Sequence, residues 1–412
     1  MEYGCIAEKL GHSFSKDIHN RLFDYKYELC EISKDSFDKF MTEKNFKAIN
    51  VTIPYKESVI KYLDFISETA EKIGAVNTIV NENGYLKGYN TDFFGMVSLI
   101  EKNGISIKGR KVLVLGSGGT SKTAKAVAEY LGCSCVYRVS RTGKNGCITY
   151  EEALYRHLDS EIIINTTPVG MYPNINVAPV NIDNYKNVTA VVDAVYNPLR
   201  SKLVIESCKM GIRAVGGLYM LVAQAALAAE KFTGIPVPTS EIDRVYSEIL
   251  IKKQNIVLTG MPGSGKTTIG KRLAADLDLR FIDVDEFIVE KTKKSISGIF
   301  GEIGEVGFRK IESEAISEIS SVQGAVIATG GGAVLDIQNI DLLKENGKIY
   351  FIDRDINEIA ATSDRPLSSN RKDLEKRYSE RYDIYCESCD RHIKINNSIE
   401  DNVERIKKDY LA

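Results

Sequence analysis

The sequence predicts an α/β protein in which helices cover largely parallel sheets. Strand-like apolar runs alternate with helical patterns along the chain, and this alternation is typical of parallel sheets. Two of the runs, at residues 111–115 and 255–259, each lead into a glycine-rich loop and then into a helical pattern. Strand–loop–helix units of this kind bind phosphate at the helix N-terminus. At 412 residues the chain is also too long for one ordinary core, so we expect at least two domains and two nucleotide sites.

The elements around the first loop alternate in the same way. A helix is predicted over residues 121–131, directly after the loop. The elements that follow are strands at 135–139, 162–165, 190–194 and 213–215, and a helix at about 240–250. The polar stretch Lys252, Lys253 and Gln254 comes next, and we interpret it as the boundary between the two halves.

The second half repeats the pattern after its own loop. A helix is predicted to extend to about residue 277. The strands expected beyond it lie near residues 281–282, 325–329 and 348–352. We therefore predict an N-terminal α/β substrate domain over residues 1–92, completed by helices within residues 217–250. A nucleotide-binding domain over residues 93–216 and a third α/β domain over residues 254–412 complete the predicted organisation.

Composition and charge exclude several classes of function. Apolar residues make up 43% of the chain and charged residues 27%, values typical of a soluble globular protein. The formal net charge of -2, without a long run of one sign, gives no reason to expect nucleic acid or an anionic membrane as a partner. The longest apolar run, residues 218–229, is too short to span a membrane and is predicted as a buried helix. We expect a cytoplasmic protein acting on small molecules, with its oligomeric state left open.

The eight cysteines are scattered along the chain, which favours reduced thiols. Cys386 and Cys389 form a C-x-x-C, with His392 just beyond. No second pair with zinc-ligand spacing accompanies them, so we interpret this spacing as incidental.

Residues 260–267 form a phosphate-binding loop. They match the P-loop pattern G-x-x-x-x-G-K-[ST] at every fixed position, between a predicted strand and a predicted helix. Glycines let the backbone wrap phosphates, Lys266 neutralises developing charge, and the Thr267 hydroxyl can ligate Mg²⁺. We therefore expect ATP and Mg²⁺ in this half. The predicted nucleotide contacts are Gly263, Ser264, Gly265, Lys266, Thr267 and Thr268.

The loop of the first half resembles a Rossmann dinucleotide turn. Ser121 stands at its third glycine position. At the end of the next strand, where NAD-specific sites place an acid, the chain has Arg141. An arginine can pair with the 2′-phosphate of NADP, which favours NADP over NAD; the alternative is that Arg141 is solvated surface. The predicted cofactor contacts are Gly116, Ser117, Gly118, Gly119, Ser140, Arg141, Thr142 and Gly217.

Beyond the P-loop, the second half resembles shikimate kinases. The segments that carry the resemblance are residues 281–285, 295–300, 304–312 and 330–332. The resemblance implies that Asp283 helps organise magnesium, that Lys266 and Asp285 act in catalysis, and that Arg365 reaches ATP phosphates from a lid. Whether Asp285 accepts a proton or only orients the substrate stays open. A shortened segment after residue 367 and Asp383 in place of a proline depart from the family pattern. The residues implied to hold shikimate are Asp285, Arg309, Gly330, Gly331, Gly332 and Arg381.

The first half resembles shikimate dehydrogenases over almost its whole length. The matching segments are residues 11–20, 50–56, 75–78, 88–92, 165–171, 193–198 and 217–224. The resemblance implies that Lys56 and Asp92 are the catalytic pair. Lys16 stands where the family usually has proline. The residues implied to bind substrate are Ser13, Ser15, Thr52, Asn77, Tyr196 and Gln224.

Together the two resemblances imply consecutive reactions. NADPH would reduce 3-dehydroshikimate to shikimate, and ATP would phosphorylate shikimate to shikimate 3-phosphate. Two alternatives are a quinate or shikimate dehydrogenase that uses NAD, and a sensor that binds shikimate compounds without turnover. The sensor is disfavoured because Lys56, Asp92, Lys266 and Asp285 are all present.

Overall fold

The computed structural model describes residues 1–10, 14–359, 371–396 and 398–411. In it the chain divides into two units, Met1–Ile249 and Leu250–Ala412. Both units are built from helices packed on largely parallel sheets, which confirms the predicted α/β class. Among the described residues, no helix is both long enough and apolar enough to cross a membrane.

The first sheet of the first unit has six strands in the order β2-β1-β3-β5-β6-β4. Strands β1, β2 and β3 pair in parallel, and β5 pairs antiparallel with both β3 and β6. Its strands are β1 (Tyr3–Ala7), β2 (Tyr27–Glu31), β3 (Ala48–Val51), β4 (Phe65–Ile66), β5 (Thr78–Glu82) and β6 (Tyr85–Tyr89). The helices along this stretch of chain are α1 (Ser15–Leu22), α2 (Lys34–Glu43) and α3 (Glu68–Ile73).

The second sheet has six strands in the order β12-β11-β10-β7-β8-β9, all paired in parallel. Its strands are β7 (Lys111–Leu115), β8 (Cys135–Ser140), β9 (Ile148–Thr149), β10 (Ile162–Asn165), β11 (Ala190–Asp193) and β12 (Arg213–Val215). The helices are α4 (Thr91–Lys102), α5 (Gly119–Tyr130), α6 (Tyr150–Arg156), α7 (Lys202–Lys209), α8 (Leu218–Thr233) and α9 (Thr239–Lys253).

Helices α4 and α8 pack closely against each other within the first unit. Gly95 on α4 makes this possible, because a Cβ there would lie 2.9 Å from the backbone oxygen of Met220. Most side chains of α8 are buried, as the apolar run at residues 218–229 predicted. This contact brings the start of α4, which carries Asp92, to the same region as Gln224 on α8.

The second unit has one five-stranded parallel sheet in the order β14-β15-β13-β16-β17. Helix α12 is broken at Gly304, whose φ of 68° is left-handed and non-helical. The strands are β13 (Asn255–Thr259), β14 (Arg280–Asp283), β15 (Ala325–Ala328), β16 (Gly347–Asp353) and β17 (Arg391–Lys394). The helices are α10 (Lys266–Leu277), α11 (Val284–Thr292), α12 (Ile296–Ile319), α13 (Ile337–Asn346), α14 (Arg371–Ser388) and α15 (Ile399–Leu411).

The predicted strands around both loops coincide with β7, β8 and β10–β16 to within one or two residues. Helix α9 continues to Lys253, three residues beyond its predicted end at about 250, so Lys252 and Lys253 are helical. Their polarity reflects an exposed or partly exposed helix end, where lysines also favour the negative end of the helix dipole.

Candidate active sites of the two units

Lys56 and Asp92 form an ion pair in the first unit. The Lys56 ammonium donates to Asp92 Oδ2 at 2.5 Å, and both side chains are largely buried. Asp92 lies in the first turn of α4, whose N-terminus is capped by the Asn90 side chain. The Lys56 side chain also packs on the glycine-rich loop, with its Cδ 3.5 Å from the position of a Cβ at Gly119. The pair therefore lies where the predicted substrate domain meets the predicted cofactor loop.

The predicted substrate residues of this unit lie around that pair. Cys5 is close enough to interact electrostatically with Lys56, Asp92 and Tyr196, so these groups share one region. Burial raises the pKa of the Tyr196 phenol, which therefore stays protonated as a hydrogen-bond donor. The Gln224 side chain donates to Leu221 O at 2.9 Å, within its own helix.

Asn77, another predicted substrate residue, is buried and makes two hydrogen bonds to Thr91. Its Oδ1 accepts from the backbone N–H of Thr91 at 2.7 Å, and its Nδ2 donates to Thr91 Oγ1 at 3.0 Å. Thr52 is partly buried, four residues before Lys56, and Ser15 begins α1. Ser13 lies outside the described residues.

The dinucleotide loop is open where a cofactor would approach. A Cβ at Gly118 would meet nothing within 4 Å, and Gly118 and Ser117 are exposed. Gly116 has a φ of 129°, which favours glycine. Ser121, at the third glycine position, is buried and donates to Gly118 O at 2.8 Å, so its side chain stabilises the loop from the protein interior.

The end of β8 and the start of α8 hold the other predicted cofactor residues. Ser140 Oγ accepts from the Gly143 N–H at 3.1 Å, which folds the chain back so that Arg141 and Thr142 are exposed. An exposed guanidinium beside the loop fits a 2′-phosphate. Gly217 packs on the backbone of Ala194 so closely that no Cβ would fit, so packing alone accounts for this glycine.

The P-loop of the second unit has the backbone that its glycines allow. Gly260, Gly263 and Gly265 have φ values of 143°, 83° and 100°, all in the region that favours glycine. Lys266 Nζ donates to the backbone oxygens of Gly260 and Met261, each at 2.9 Å. Within the part of the chain that the structure describes, the buried Ser264 Oγ has no hydrogen-bond partner, which fits a group that binds phosphate.

Two oxygen ligands suited to Mg²⁺ meet at the end of this loop. Thr267 Oγ1 donates to Asp283 Oδ2 at 2.9 Å. The other oxygen of Asp283 caps α11 by accepting from the N–H groups of Asp285 and Glu286. A hydroxyl and a carboxylate beside a P-loop are the donor set that Mg²⁺ prefers. Thr268 is exposed on the first turn of α10.

Asp285 and Arg309 share a partly enclosed cluster with Glu312. Burial raises the pKa of Asp285, and the nearby Asp283 raises it further, against the opposing effect of Lys266 and Arg309. Arg309 Nη1 donates to Glu312 Oε2 at 2.5 Å, and Glu312 is fully buried. Burial raises the pKa of Glu312 too, and the Arg309 charge opposes that rise.

The triple glycine lies against this cluster. A Cβ at Gly330 would lie 2.5 Å from Glu312 Oε1 and 3.0 Å from Asp285 Oδ1, and one at Gly332 would overlap the Arg309 guanidinium. Gly331 O accepts from Arg381 Nη1 at 3.0 Å. A Cβ at Gly331 would lie 2.6 Å from Pro262 of the P-loop, so the cluster adjoins the phosphate site.

Sequence reasoning assigned no role to Glu312, although it lies three residues after Arg309 on one helix, a spacing that places both on one face. It also assigned none to Cys5 or Tyr27, because their position depends on strand pairing between distant segments. Arg365, and with it the start of the predicted lid up to residue 370, lies outside the described residues.

Fold and site together define a protein with two nucleotide-dependent enzyme units, the first of a Rossmann-type oxidoreductase and the second of a P-loop phosphotransferase. Family models identify them further. The model for shikimate kinase matches residues 262–410, that for the shikimate dehydrogenase substrate binding domain matches residues 5–79, and that for the shikimate 5'-dehydrogenase C-terminal domain matches residues 217–245. The chain belongs to the shikimate dehydrogenase family and carries a shikimate kinase domain in its second unit.

The similar proteins and solved structures that match the first unit are also shikimate dehydrogenases. A shikimate dehydrogenase (NADP(+)) of Clostridium beijerinckii is 42% identical over 248 residues, which are 55% of this chain and 90% of the relative. Shikimate dehydrogenase 1 from Peptoclostridium difficile superposes with a TM-score of 0.57 at 37% identity, over 60% of this chain and 98% of that one. The shikimate 5-dehydrogenase of Thermus thermophilus, solved in complex with NADP(H) and shikimate, gives 0.55 at 27% identity, over 60% and 99%.

Proposed function

We propose that the first unit reduces 3-dehydroshikimate to shikimate with NADPH and that the second unit phosphorylates shikimate to shikimate 3-phosphate with ATP. The observation that carries the first activity is the Lys56–Asp92 pair at 2.5 Å, packed on the glycine-rich loop. The second activity is supported by the cluster of Asp285, Arg309 and the triple glycine beside the P-loop. The product of the first reaction is the acceptor of the second, so one chain performs two successive steps.

In the dehydrogenase, the carbonyl carbon of the substrate needs a hydride and the carbonyl oxygen needs a proton. Bound NADPH supplies the hydride. Lys56 donates the proton to the oxygen, and Asp92 holds the lysine side chain in place while it does so. The hydroxyl and carboxylate groups of the substrate need hydrogen-bond partners once they leave water. The residues proposed to bind them are Asn77, Tyr196, Ser13 and Ser15.

In the kinase, catalysis rests mainly on positioning and charge stabilisation. ATP with Mg²⁺ supplies the phosphoryl group, and Thr267 and Asp283 are the residues suited to hold the metal. Arg309 and Arg381 bind the shikimate carboxylate, since guanidinium groups match its two oxygens. Asp285 orients the reacting hydroxyl, and its raised pKa makes it a better proton acceptor than an ordinary aspartate.

One assay of the full-length protein tests both activities. It is incubated with 3-dehydroshikimate, NADPH, ATP and Mg²⁺, while NADPH absorbance is followed and shikimate is separated from its 3-phosphate. We expect NADPH oxidation with accumulation of the phosphate. Accumulation of shikimate alone would contradict the kinase assignment, and untouched NADPH would contradict the dehydrogenase assignment.

Parallel assays address the alternative activities. A strong preference for quinate with NAD would show that the substrate and cofactor assignments are wrong. Binding of shikimate without any turnover would support a sensor. We place the enzyme in the cytoplasm, where NADPH and ATP are available, and small molecules are its expected partners.

A further inference from the structure

A buried line of hydrogen bonds runs from the core of the substrate domain to the start of α4. Tyr27 OH donates to Asn50 Oδ1 at 2.7 Å, and Asn50 Nδ2 lies 3.2 Å from Thr78 Oγ1. Thr78 Oγ1 donates to Asn77 Oδ1 at 3.1 Å, and Asn77 is bonded in turn to Thr91, one residue before Asp92. All five side chains of the line, from Tyr27 to Thr91, are at most 7% exposed. Sheet register creates the line, since Asn50 on β3 is the direct partner of Thr78 on β5.

Two backbone groups favour one orientation of each of the two amides in this line, while either hydroxyl of the Thr78–Thr91 contact, at 3.2 Å, can be the donor. The Thr91 N–H can only donate, so the Asn77 side-chain atom that faces it must be the oxygen. The backbone C=O of Asn77 can only accept, so the Asn50 side-chain atom that faces it, at 3.4 Å, must be the nitrogen. The oxygen of Asn50 then faces Tyr27, and the phenol must donate to it.

The surroundings of Tyr27 keep it in the donating form. Burial raises the pKa of the Tyr27 phenol well above its ordinary value. The His19 ring stacks on Tyr27 with centroids 4.0 Å apart, and burial lowers the pKa of His19 to about 3, so this ring is neutral. The whole line is therefore uncharged at any pH at which the enzyme works.

We propose that Tyr27, Asn50 and Thr78 are positioning residues for the reduction of 3-dehydroshikimate. They hold the Asn77 amide in one orientation, with its oxygen on the α4 N-terminus and its second N–H left for the substrate. Through Thr91 the same contacts hold the first turn of α4, and with it Asp92 and Lys56. This inference rests on the proposed dehydrogenase activity.

Replacement of Tyr27 by phenylalanine tests the proposal. Tyr27→Phe removes the shortest contact of the Asn50 side chain, at 2.7 Å, and leaves this amide its longer contacts, at 3.2 Å with Thr78 Oγ1 and 3.4 Å with Asn77 O, so it holds Asn77 less firmly. We expect kcat/KM for 3-dehydroshikimate to fall by about tenfold, with KM raised and kcat lowered together. Phosphorylation of added shikimate by the same protein is expected to stay at the wild-type rate.

Tyr55→Phe is the matched control. Tyr55 is similarly buried in the same domain, and its hydroxyl donates to Ile32 O at 2.6 Å, so Tyr55→Phe also removes one buried hydrogen bond. It lies outside the line, so we expect a similar loss of thermal stability but a kcat/KM within about twofold of wild type. Equal kcat/KM values for the two variants would overturn the proposal.

Thr78 supplies a second test, which does not require Tyr27→Phe to fold. Thr78→Val should lower kcat/KM by about tenfold, and Thr78→Ser, which keeps the hydroxyl, should restore most of it. In a double variant with Tyr27→Phe the two losses should overlap instead of multiplying, because both break one line. Independent, multiplying effects would refute it. Absence of turnover by the wild-type protein would refute the proposed function itself, which is a different outcome.

Discussion

In the first unit Lys56, the proposed proton donor, donates to the carboxylate of Asp92, whereas in the second unit Lys266 donates to two carbonyl groups of its own loop. The second unit also holds Arg309 on Glu312 and Arg381 on Gly331 O. Three cations of the kinase are thus bound to acceptors of the protein itself. Asn77 and Gln224, two of the residues predicted to bind substrate in the first unit, are held instead by neutral hydrogen bonds.

The difference follows from the burial of the cations. A buried ammonium or guanidinium group without a partner is costly, so the buried Lys266 and Arg381 need protein acceptors whenever no ligand is bound, whereas Arg141 of the first unit is exposed to water. A site for a polyhydroxy acid relies more on hydroxyl and amide groups, which can be fixed in one orientation beforehand. We therefore expect Lys266 to exchange its two carbonyl partners for phosphate oxygens when ATP binds, whereas Arg309 keeps Glu312 as the carboxylate that orients it, and the dehydrogenase to lose most when its fixed groups are removed.

Removal of Lys56 should have the largest effect. Lys56→Met deletes the proposed proton donor and leaves Asp92 without its partner at 2.5 Å. We expect the rate of 3-dehydroshikimate reduction to fall by about 10³-fold or more, while phosphorylation of added shikimate is unchanged. Steady-state NADPH oxidation and a kinase assay on the same sample measure both. Lys61→Met, at an exposed lysine nearby, is the control and should retain activity.

Lys266→Met should affect the other activity to a similar or slightly smaller extent. The variant lacks the ammonium that neutralises phosphate charge, and we expect phosphorylation to fall by about 10²- to 10³-fold with reduction unchanged. Lys271→Met, further along α10 and exposed, should behave like wild type. Loss of both activities in a folded Lys266→Met protein would show that the two sites are not independent.

Glu312 tests how far the kinase depends on the acceptors that hold its cations. Glu312→Gln removes the charge that holds Arg309, so the guanidinium loses its fixed orientation, and the KM for shikimate should change while the KM for ATP does not. We expect KM for shikimate to rise by about tenfold. Glu305→Gln is the matched control, because Glu305 also pairs with Arg309 but from an exposed position, at 3.2 Å. An unchanged shikimate KM in Glu312→Gln would contradict the role given to this carboxylate.

The sequence predicted the parallel sheets, both glycine-rich loops and the order of the elements, because these depend on local patterns that are complete within a few residues. It could not predict that Asn77 is committed to Thr91, since this depends on the register that pairs β3 with β5. It could not show either that Ser264 would be buried with no partner among the residues that the structure describes. Both features depend on tertiary structure, that is, on contacts between segments far apart in the chain. The roles of the individual site residues stay predictions until the variants are measured.

The smallest expected effect concerns two buried acids outside the active sites. Asp193 in the first unit accepts hydrogen bonds from Ser201, Asn165 and the Val195 N–H, and burial still raises its pKa to about 6. In the described part of the second unit, Glu345 has a buried Oε2 without a partner, and burial, helped by Asp341, raises its pKa to about 8. The rise in pKa is smaller for Asp193, whose carboxylate accepts three hydrogen bonds, than for Glu345, whose Oε2 accepts none from the described residues.

The sign of the pH dependence follows from these values. An acid whose pKa is raised on folding binds its proton more tightly in the folded state, so the stabilisation is complete below its unfolded pKa of 4.5 and is lost as pH rises through about 8. Glu345→Gln removes the titrating group and should leave the protein more stable than wild type at about pH 9, by up to a few kcal/mol, and little changed at about pH 5. Calorimetric unfolding of the full chain at both pH values measures this. A stability difference that does not vary with pH would show that Glu345 does not titrate in this range.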